Sequence, residues 1–276
     1  MITDTQRELA KKFMDMHHAQ KMFILANAWD AGSAYIFQKE GFAALGTTSQ
    51  GTALSYGYAD GQNMPFDDLV YCVESMTKRV AVPVSADIER GFADDAEKVK
   101  ENALRLLEVG AVGFNIEDGR QDKTLDELPF FLEKIKALAS LKKECNLDFV
   151  INARTCTYWH NIGDEEYKLK IALERGKAFK EAGADCIFYP GAVPLESVKT
   201  LVKETEAPVN ILLTPATCDL KALADAGVRR LSIGSGPARS TYNHVIAMAQ
   251  ELKKGETERI LKHSFVYAEA NTYFNN

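Results

Sequence analysis

Glu181-Ala182-Gly183-Ala184 closes one amphipathic stretch, and three other segments repeat its form: Lys39-Glu40-Gly41-Phe42, Glu108-Val109-Gly110-Ala111 and Asp225-Ala226-Gly227-Val228. Each puts glycine where a helix ends in left-handed geometry and the chain turns back toward a strand. On either side of these turns, runs rich in Val, Ile, Leu and Phe cover residues 22–29, 43–49, 83–89, 113–118, 149–155, 186–192, 209–215 and 229–235. Such runs suit strands buried on both faces. Helical periodicity separates them: Val99, Ala103, Leu106 and Leu107 share a face of 97–109, and Phe131, Ile135 and Leu138 share one of 128–141. Strand alternating with helix eight times implies parallel pairing and right-handed crossovers. The fold class is therefore α/β, and the expected architecture is a (β/α)8 TIM barrel. An extra N-terminal helix is expected over 4–19, with C-terminal helices over 237–253 and 256–270. An open doubly wound sheet is the alternative, but no Gly-x-Gly-x-x-Gly follows the first strand. No Pro/Gly/Ser-rich linker divides the chain, so residues 1–276 read as a single barrel domain.

Composition narrows the function. With 46% hydrophobic and 26% charged residues, the chain can build a large core under a solvated surface. A net charge of −6 without a basic patch argues against a nucleic-acid partner. A small anionic substrate remains compatible, because a metal or local cations can override the global sign. No apolar run approaches the roughly 20 residues of a membrane span, and the polar N-terminal residues lack a signal-peptide layout. Five cysteines without CxxC spacing support neither a disulfide framework nor a zinc cluster, so a cytoplasmic setting is expected.

In such a barrel the chemistry sits at the C-terminal ends of the strands. Alternation along the third strand puts Asp87 and Glu89 on one face, and along the fourth Asn115 and Glu117, all directed inward. Converging carboxylates repel one another and lose hydration, so they call for a cation. Hard oxygen donors suit Mg²⁺, or Mn²⁺, rather than zinc. A metal-free ion-pair network with Arg90, Arg120 or Arg154 is the alternative. The fifth strand turns Asn152 and Arg154 inward. Arg154 is suited to clamping a substrate carboxylate or phosphonate through paired hydrogen bonds, or to neutralising Glu117, and the two uses are compatible. The polar segment Gly46–Thr52 can offer N–H groups and hydroxyls to an oxyanion. Gly234-Ser235-Gly236-Pro237 reads either as a phosphate-binding turn or as a plain turn into a helix. Cys156, without a neighbouring histidine in sequence, reads as a small filler, and His160 as a packing residue with a visit to the site as the other option. The remaining histidines, at 17, 18, 244 and 263, form no metal pair at helical spacing.

The segments Ala86-Asp87-Ile88-Glu89-Arg90-Gly91-Phe92, Asn115-Ile116-Glu117-Asp118 and Asn152-Ala153-Arg154-Thr155 follow Ala26-Asn27-Ala28-Trp29-Asp30-Ala31. In order and spacing they resemble the isocitrate lyase/phosphoenolpyruvate mutase superfamily as far as Gly234. The resemblance implies a Mg²⁺ held, often through waters, by Asp87, Glu89 and Glu117. It implies an oxyanion-binding loop at Ser49-Gln50-Gly51, where Gln50 departs from the usual glycine. It also implies Trp29 and Asn210 as substrate contacts, Arg154 as the substrate clamp, and Asp60 as the acid orienting the reacting centre. Asp60, Arg154 and Ser49 are the implied catalytic set. Relatives form dimers or tetramers, and the apolar Ile246, Met248, Ala249 and Leu252 are compatible with a homo-oligomer.

Departures from the superfamily pattern redirect the substrate. The segment Gly119-Arg120-Gln121-Asp122-Lys123-Thr124-Leu125-Asp126 lacks the Cys and His of the isocitrate lyase lid. It also lacks the Lys-Thr-Asn of the mutases, and the sixth strand ends Ile187-Phe188-Tyr189-Pro190 without their histidine. The leading expectation is a Mg²⁺-dependent lyase or hydrolase cleaving a C–C bond in a small 2-oxo or 2-hydroxy acid through an enolate. A phosphonomutase or phosphonopyruvate hydrolase acting on a P–C bond is the second, and a non-catalytic metabolite-binding barrel the third.

Overall fold

The computed structural model describes residues 2–275, apart from the side chain of His263. Eight parallel strands close on themselves in chain order. They are β1 (Phe23–Ala28), β2 (Leu45–Thr47), β3 (Val84–Asp87), β4 (Gly113–Glu117), β5 (Val150–Arg154), β6 (Cys186–Tyr189), β7 (Val209–Leu212) and β8 (Arg230–Ser232), with β8 pairing back to β1. The (β/α)8 expectation holds. The helices are α1 (Asp4–His18), α2 (Ala31–Lys39), α3 (Ser49–Ser55), α4 (Phe66–Thr77), α5 (Ala96–Glu108), α6 (Leu128–Cys145), α7 (Glu165–Glu181), α8 (Leu195–Thr205) and α9 (Leu220–Asp225).

The repeated glycine turns are built alike. Gly41, Gly110, Gly183 and Gly227 have φ between +90° and +109°. The residue after each donates its N–H five residues back: Phe42 to Phe37, Ala111 to Leu106, Ala184 to Phe179 and Val228 to Leu223, at 3.0–3.1 Å. One local motif therefore satisfies helix-end carbonyls and aims the chain into the next strand four times. The strands are shorter than their apolar runs, because the polar ends of those runs turn away to form the mouth. On β4, Phe114 and Ile116 belong to the fully buried apolar layer, with Phe114 meeting Phe149 edge-on at 5.2 Å.

Helix α1 closes the N-terminal end of the barrel. Gln6 Nε2 anchors it to the carbonyls of Leu107 and Ala111 (2.7 and 2.9 Å). The fully buried Phe13 ring lies where a side chain on Gly113 would stand, 2.9 Å from that point. Burying such a ring stabilises the fold by about 2–3 kcal/mol. His17, also fully buried, makes a 2.8 Å bond through Nδ1 with the Phe13 carbonyl. Burial lowers its pKa to about 3, the Arg230 and His18 charges act in the same direction, and the bond to Phe13 opposes them. The unfolded chain takes up this proton below about pH 6.5, and the folded one only near 3. The stability held above pH 6.5 is therefore lost as pH falls toward 3, at about 1.4 kcal/mol per pH unit. Between about pH 7.5 and 5, wild-type protein should lose roughly 2 kcal/mol more than His17→Gln in urea unfolding. Equal losses would remove His17 from the acid response.

The chain divides into two compact units, one ending at Gly234 and the other beginning at Ser235. The second contains α10 (Gly236–Lys253), α11 (Glu258–His263) and α12 (Tyr267–Phe274). Within it, Arg259 Nη2 pairs with Glu251 at 2.7 Å and Phe265 meets Tyr273 edge-on. Among the described residues no helix is long and apolar enough to cross a membrane, and all five cysteines are free.

Candidate active site

Asp87 ends β3 and is held from three sides. Its Oδ1 accepts from Asn115 Nδ2 (2.9 Å) and the Glu89 N–H (3.2 Å), and its Oδ2 from the Ser49 N–H (3.2 Å). The Asp87 N–H in turn donates to Thr47 Oγ1 at 2.7 Å. Glu89 reaches the same region by another route than strand alternation. The strand stops at Asp87, and Glu89 stands in left-handed geometry at φ +49°, a conformation a side chain adopts only when its surroundings enforce it. Here the Glu117 N–H donates to its carbonyl (2.8 Å) and its Oε1 accepts from the Gln62 N–H (3.1 Å).

Glu117 and Arg154, register partners on β4 and β5, form an ion pair at 2.8 Å with side chains 16% and 14% exposed. Arg154 Nε also donates to Cys156 Sγ at 3.1 Å, and its guanidinium lies 5.4 Å from the Trp159 ring centre and 5.7 Å from that of Phe188. Arg90 and Arg120 take no part here; both pair with Asp126.

The acids of this mouth act on one another. Burial, then the charges of Asp87, Asp60 and Glu117, push Glu89 up to about 9. Burial pushes Glu117 to about 7, with Arg154 pulling it down and Asp87, Asp118 and Asp60 pushing it up. Asp60 sits on an exposed loop, yet surrounding protein strips water from its carboxyl group. That effect and the Asp87 charge raise its pKa, while hydrogen bonds from Ser49 and Gly61 and the charge of Arg154 oppose the rise. Among the described residues no three His, Cys, Asp or Glu side chains are gathered tightly enough to ligate one ion directly.

A family model described as phosphoenolpyruvate phosphomutase matches residues 13–253. The chain belongs to this family, within the isocitrate lyase/PEP mutase superfamily. An uncharacterised protein of Mycobacterium tuberculosis is 31% identical over 261 residues, 93% of each chain. A 2,3-dimethylmalate lyase of Eubacterium barkeri is 30% identical over 204 residues, 70% of this chain and 66% of its own. A Burkholderia cenocepacia structure described as a lyase or mutase matches with a TM-score of 0.90 and 30% identity, covering 99% of this chain and 98% of that one. A phosphonopyruvate hydrolase solved with oxalate and Mg²⁺ shares the fold at a TM-score of 0.81 and 21% identity, over 96% and 94% of the two chains. Members of the superfamily are lyases and mutases acting on small carboxylic acids and phosphonates.

The residues that the resemblance marks as substrate contacts lie on several elements. Trp29 stands half-buried just past the end of β1. Ser49, Gln50 and Gly51 form the first turn of α3 rather than a loop. The early N–H groups of a helix have no partner within it, and that of Ser49 goes to Asp87. Asn210 is fully buried, with Nδ2 bonded to Ser232 Oγ at 3.0 Å. At the end of β8, the N–H groups of Ile233 and Gly234 both donate to Asn27 Oδ1 at 2.9 Å, so they are not open to a phosphate.

Two features escape the sequence. His160 Nε2 is buried without a hydrogen-bond partner, and both it and Cys156 Sγ lie within 2.8 Å of where a Gly119 side chain would begin. Cys156 thus does have an imidazole nearby, and only Gly119 leaves room for the arrangement. Burial raises the Cys156 pKa well above the usual thiol range, so it stays a thiol. The second feature is the segment 119–126, folded as a small hairpin by a Gly119–Leu125 bridge. Two fully buried acids fasten its base. Asp118 takes Arg175 at 3.0 Å, Asp126 takes Arg90 at 2.8 Å, and Arg175 Nη2 also donates to the Asp126 carbonyl. Across the mouth, Gln121 Nε2 donates to the Gly61 carbonyl at 2.7 Å.

Proposed function

We propose that this chain is a Mg²⁺-dependent lyase or hydrolase that cleaves a C–C bond in a small 2-oxo or 2-hydroxy (di)carboxylic acid. The observation that carries the reading is the crowding of Asp60, Asp87, Glu89 and Glu117 beside Arg154, with Asp60, Glu89 and Glu117 pushed toward protonation by burial and by the charges of the acids around them. Like charges held together in a partly dry site fit a bound cation, and an all-oxygen set fits Mg²⁺, or Mn²⁺. Asp87, Glu89 and Glu117 would hold it, in keeping with their spacing through its water shell rather than by three direct bonds. When bound, the cation supplies Lewis-acid stabilisation of negative charge growing on the substrate's oxo oxygen.

The chain's own groups do the rest. Arg154 has five N–H donors, of which the bonds to Glu117 and Cys156 use two, leaving a fork for the substrate carboxylate. Glu117 and Cys156 fix the guanidinium, while Trp159 and Phe188 flank it. Ser49 and Gly61 hold Asp60 where it can orient the reacting centre. Trp29, Gln50 and Gly51 would supply further substrate contacts. Asn210, buried beneath, would act on the substrate through its neighbours.

A panel of 2-oxo and 2-hydroxy di-acids tests this. With Mg²⁺, pyruvate, glyoxylate or oxalate should be released from one of them, and EDTA should reduce release to background. Turnover unaffected by EDTA would remove the central claim. The guanidinium fork and the phosphonopyruvate hydrolase match favour a second reading, P–C cleavage. Phosphorus NMR on phosphonopyruvate decides it, since failure to form phosphate or a phosphate ester excludes it. We also propose a homo-oligomer, supported by exposed Ile246, Leu261 and Tyr267 in the second unit; a monomeric mass by light scattering would refute it.

A further inference from the structure

Six polar side chains run in series around the inside of the barrel, below the mouth. Asn115 Nδ2 donates to Asp87 Oδ1 (2.9 Å), Asn152 Nδ2 to Asn115 Oδ1 (2.9 Å), and Asn210 Nδ2 to Asn152 Oδ1 across β6 (3.5 Å). Asn210 and Ser232 exchange bonds at 3.0 and 3.1 Å, and Arg230 Nε donates to Ser232 Oγ at 3.4 Å. The direction of the series is forced from both ends. A carboxylate only accepts, so Asn115 must turn its amide nitrogen to Asp87 and its oxygen to β5. The same choice then repeats at Asn152 and Asn210. Arg230, which only donates, occupies the far end. The amide dipoles therefore align between a cation and an anion, and in a dry interior such chains polarise one another.

Arg230 is an unusual residue to find there. It is 2% exposed, forms no ion pair among the described residues, and its Nη1 is buried without a hydrogen-bond partner. A buried guanidinium without an adjacent carboxylate is costly; the Cys186 thiol lies near it, and Asp87 is the carboxylate whose charge reaches it. Asn115, Asn152, Asn210 and Ser232 are all no more than 6% exposed, so water does not interrupt the series.

We infer that Arg230, acting through Ser232, Asn210, Asn152 and Asn115, is a positioning residue that fixes the Asp87 carboxylate toward the divalent cation. This rests on the Mg²⁺ reading above. The barrel floor and the metal site are then one device, and a change on β8 is felt on β3.

The test is Mn²⁺ binding to purified protein, followed by electron paramagnetic resonance, with thermal unfolding recorded on metal-free samples. Ser232→Ala removes the link with little change in volume, and Arg230→Met removes the charge. Each should weaken Mn²⁺ binding by roughly tenfold, the lower range seen when partners behind metal ligands are lost. Arg230→Lys should recover part of the loss. A merely structural role would lower the unfolding temperature and leave the affinity alone. Folded Ser232→Ala protein that binds Mn²⁺ like wild type overturns the relay and leaves the cation site standing. Wild-type protein that binds no Mn²⁺ overturns the site and the relay together.

Discussion

Arg154→Lys should lower kcat/KM by about 10²–10³-fold, while the protein stays folded. The substitution keeps the positive charge, so a purely Coulombic role would survive it. What it loses is the planar fork. A lysine cannot bond Glu117 and Cys156 from fixed positions and still present paired donors to a carboxylate, as Arg154 does through Nη1 and Nε. It also gives up the guanidinium's place beside the rings of Trp159 and Phe188. Steady-state kinetics on whichever acid the panel identifies, with thermal unfolding as a control, would measure this. Activity within tenfold of wild type would mean that Arg154 serves only to neutralise Glu117.

The second large effect is on stability. Asp126→Ala should destabilise the protein by roughly 3–5 kcal/mol, the range for breaking a buried ion pair from one side. Asp126 is fully buried and takes Arg90 through both carboxylate oxygens, with Arg120 at 3.4 Å. Removing it leaves Arg90, whose side chain is only 18% exposed, with the solvent-exposed Asp94 as its remaining carboxylate. Asp94→Ala is the matched control. It removes a partner of the same arginine, but one that is 77% exposed, so the cost should stay within about 1 kcal/mol. Urea unfolding of the two variants gives both values, and equal losses would show that burial at residue 126 is not what matters.

Arg90 lies in the loop after β3, and Asp126 ends the hairpin after β4. The pair therefore ties together two segments that flank the acids, and Lys134 Nζ adds bonds to the carbonyls of Arg90 and Ala93 at 2.9 Å. These bonds hold the two segments on either side of the crowded carboxylates. Gly91, packed 2.6 Å from Val99 at the position of a missing side chain, lies in the first of them.

Much of this was legible beforehand, for a physical reason. Helix ends, strand composition and inward parity are local properties. Glu181–Ala184 and its three counterparts carry their turn geometry in four residues, and Asn115, Glu117, Asn152 and Arg154 follow from alternation along two strands. Glu89 shows where that reasoning stops. Its position was anticipated by alternation, but the strand had already ended, and a left-handed residue brings it to the acids. Parity cannot anticipate a conformation imposed by neighbours.

By itself, then, the sequence determined the eight-fold repeat, the four closing glycines and the shared parity of Asn115 with Glu117 and of Asn152 with Arg154, because each depends on residues a few positions apart. Tertiary structure alone decided the partnerships. Asp126 with Arg90, Asp118 with Arg175 and Arg230 with the asparagine series join residues from different strands, loops and helices. Their energies depend on burial and distance, and neither quantity exists until the barrel has closed.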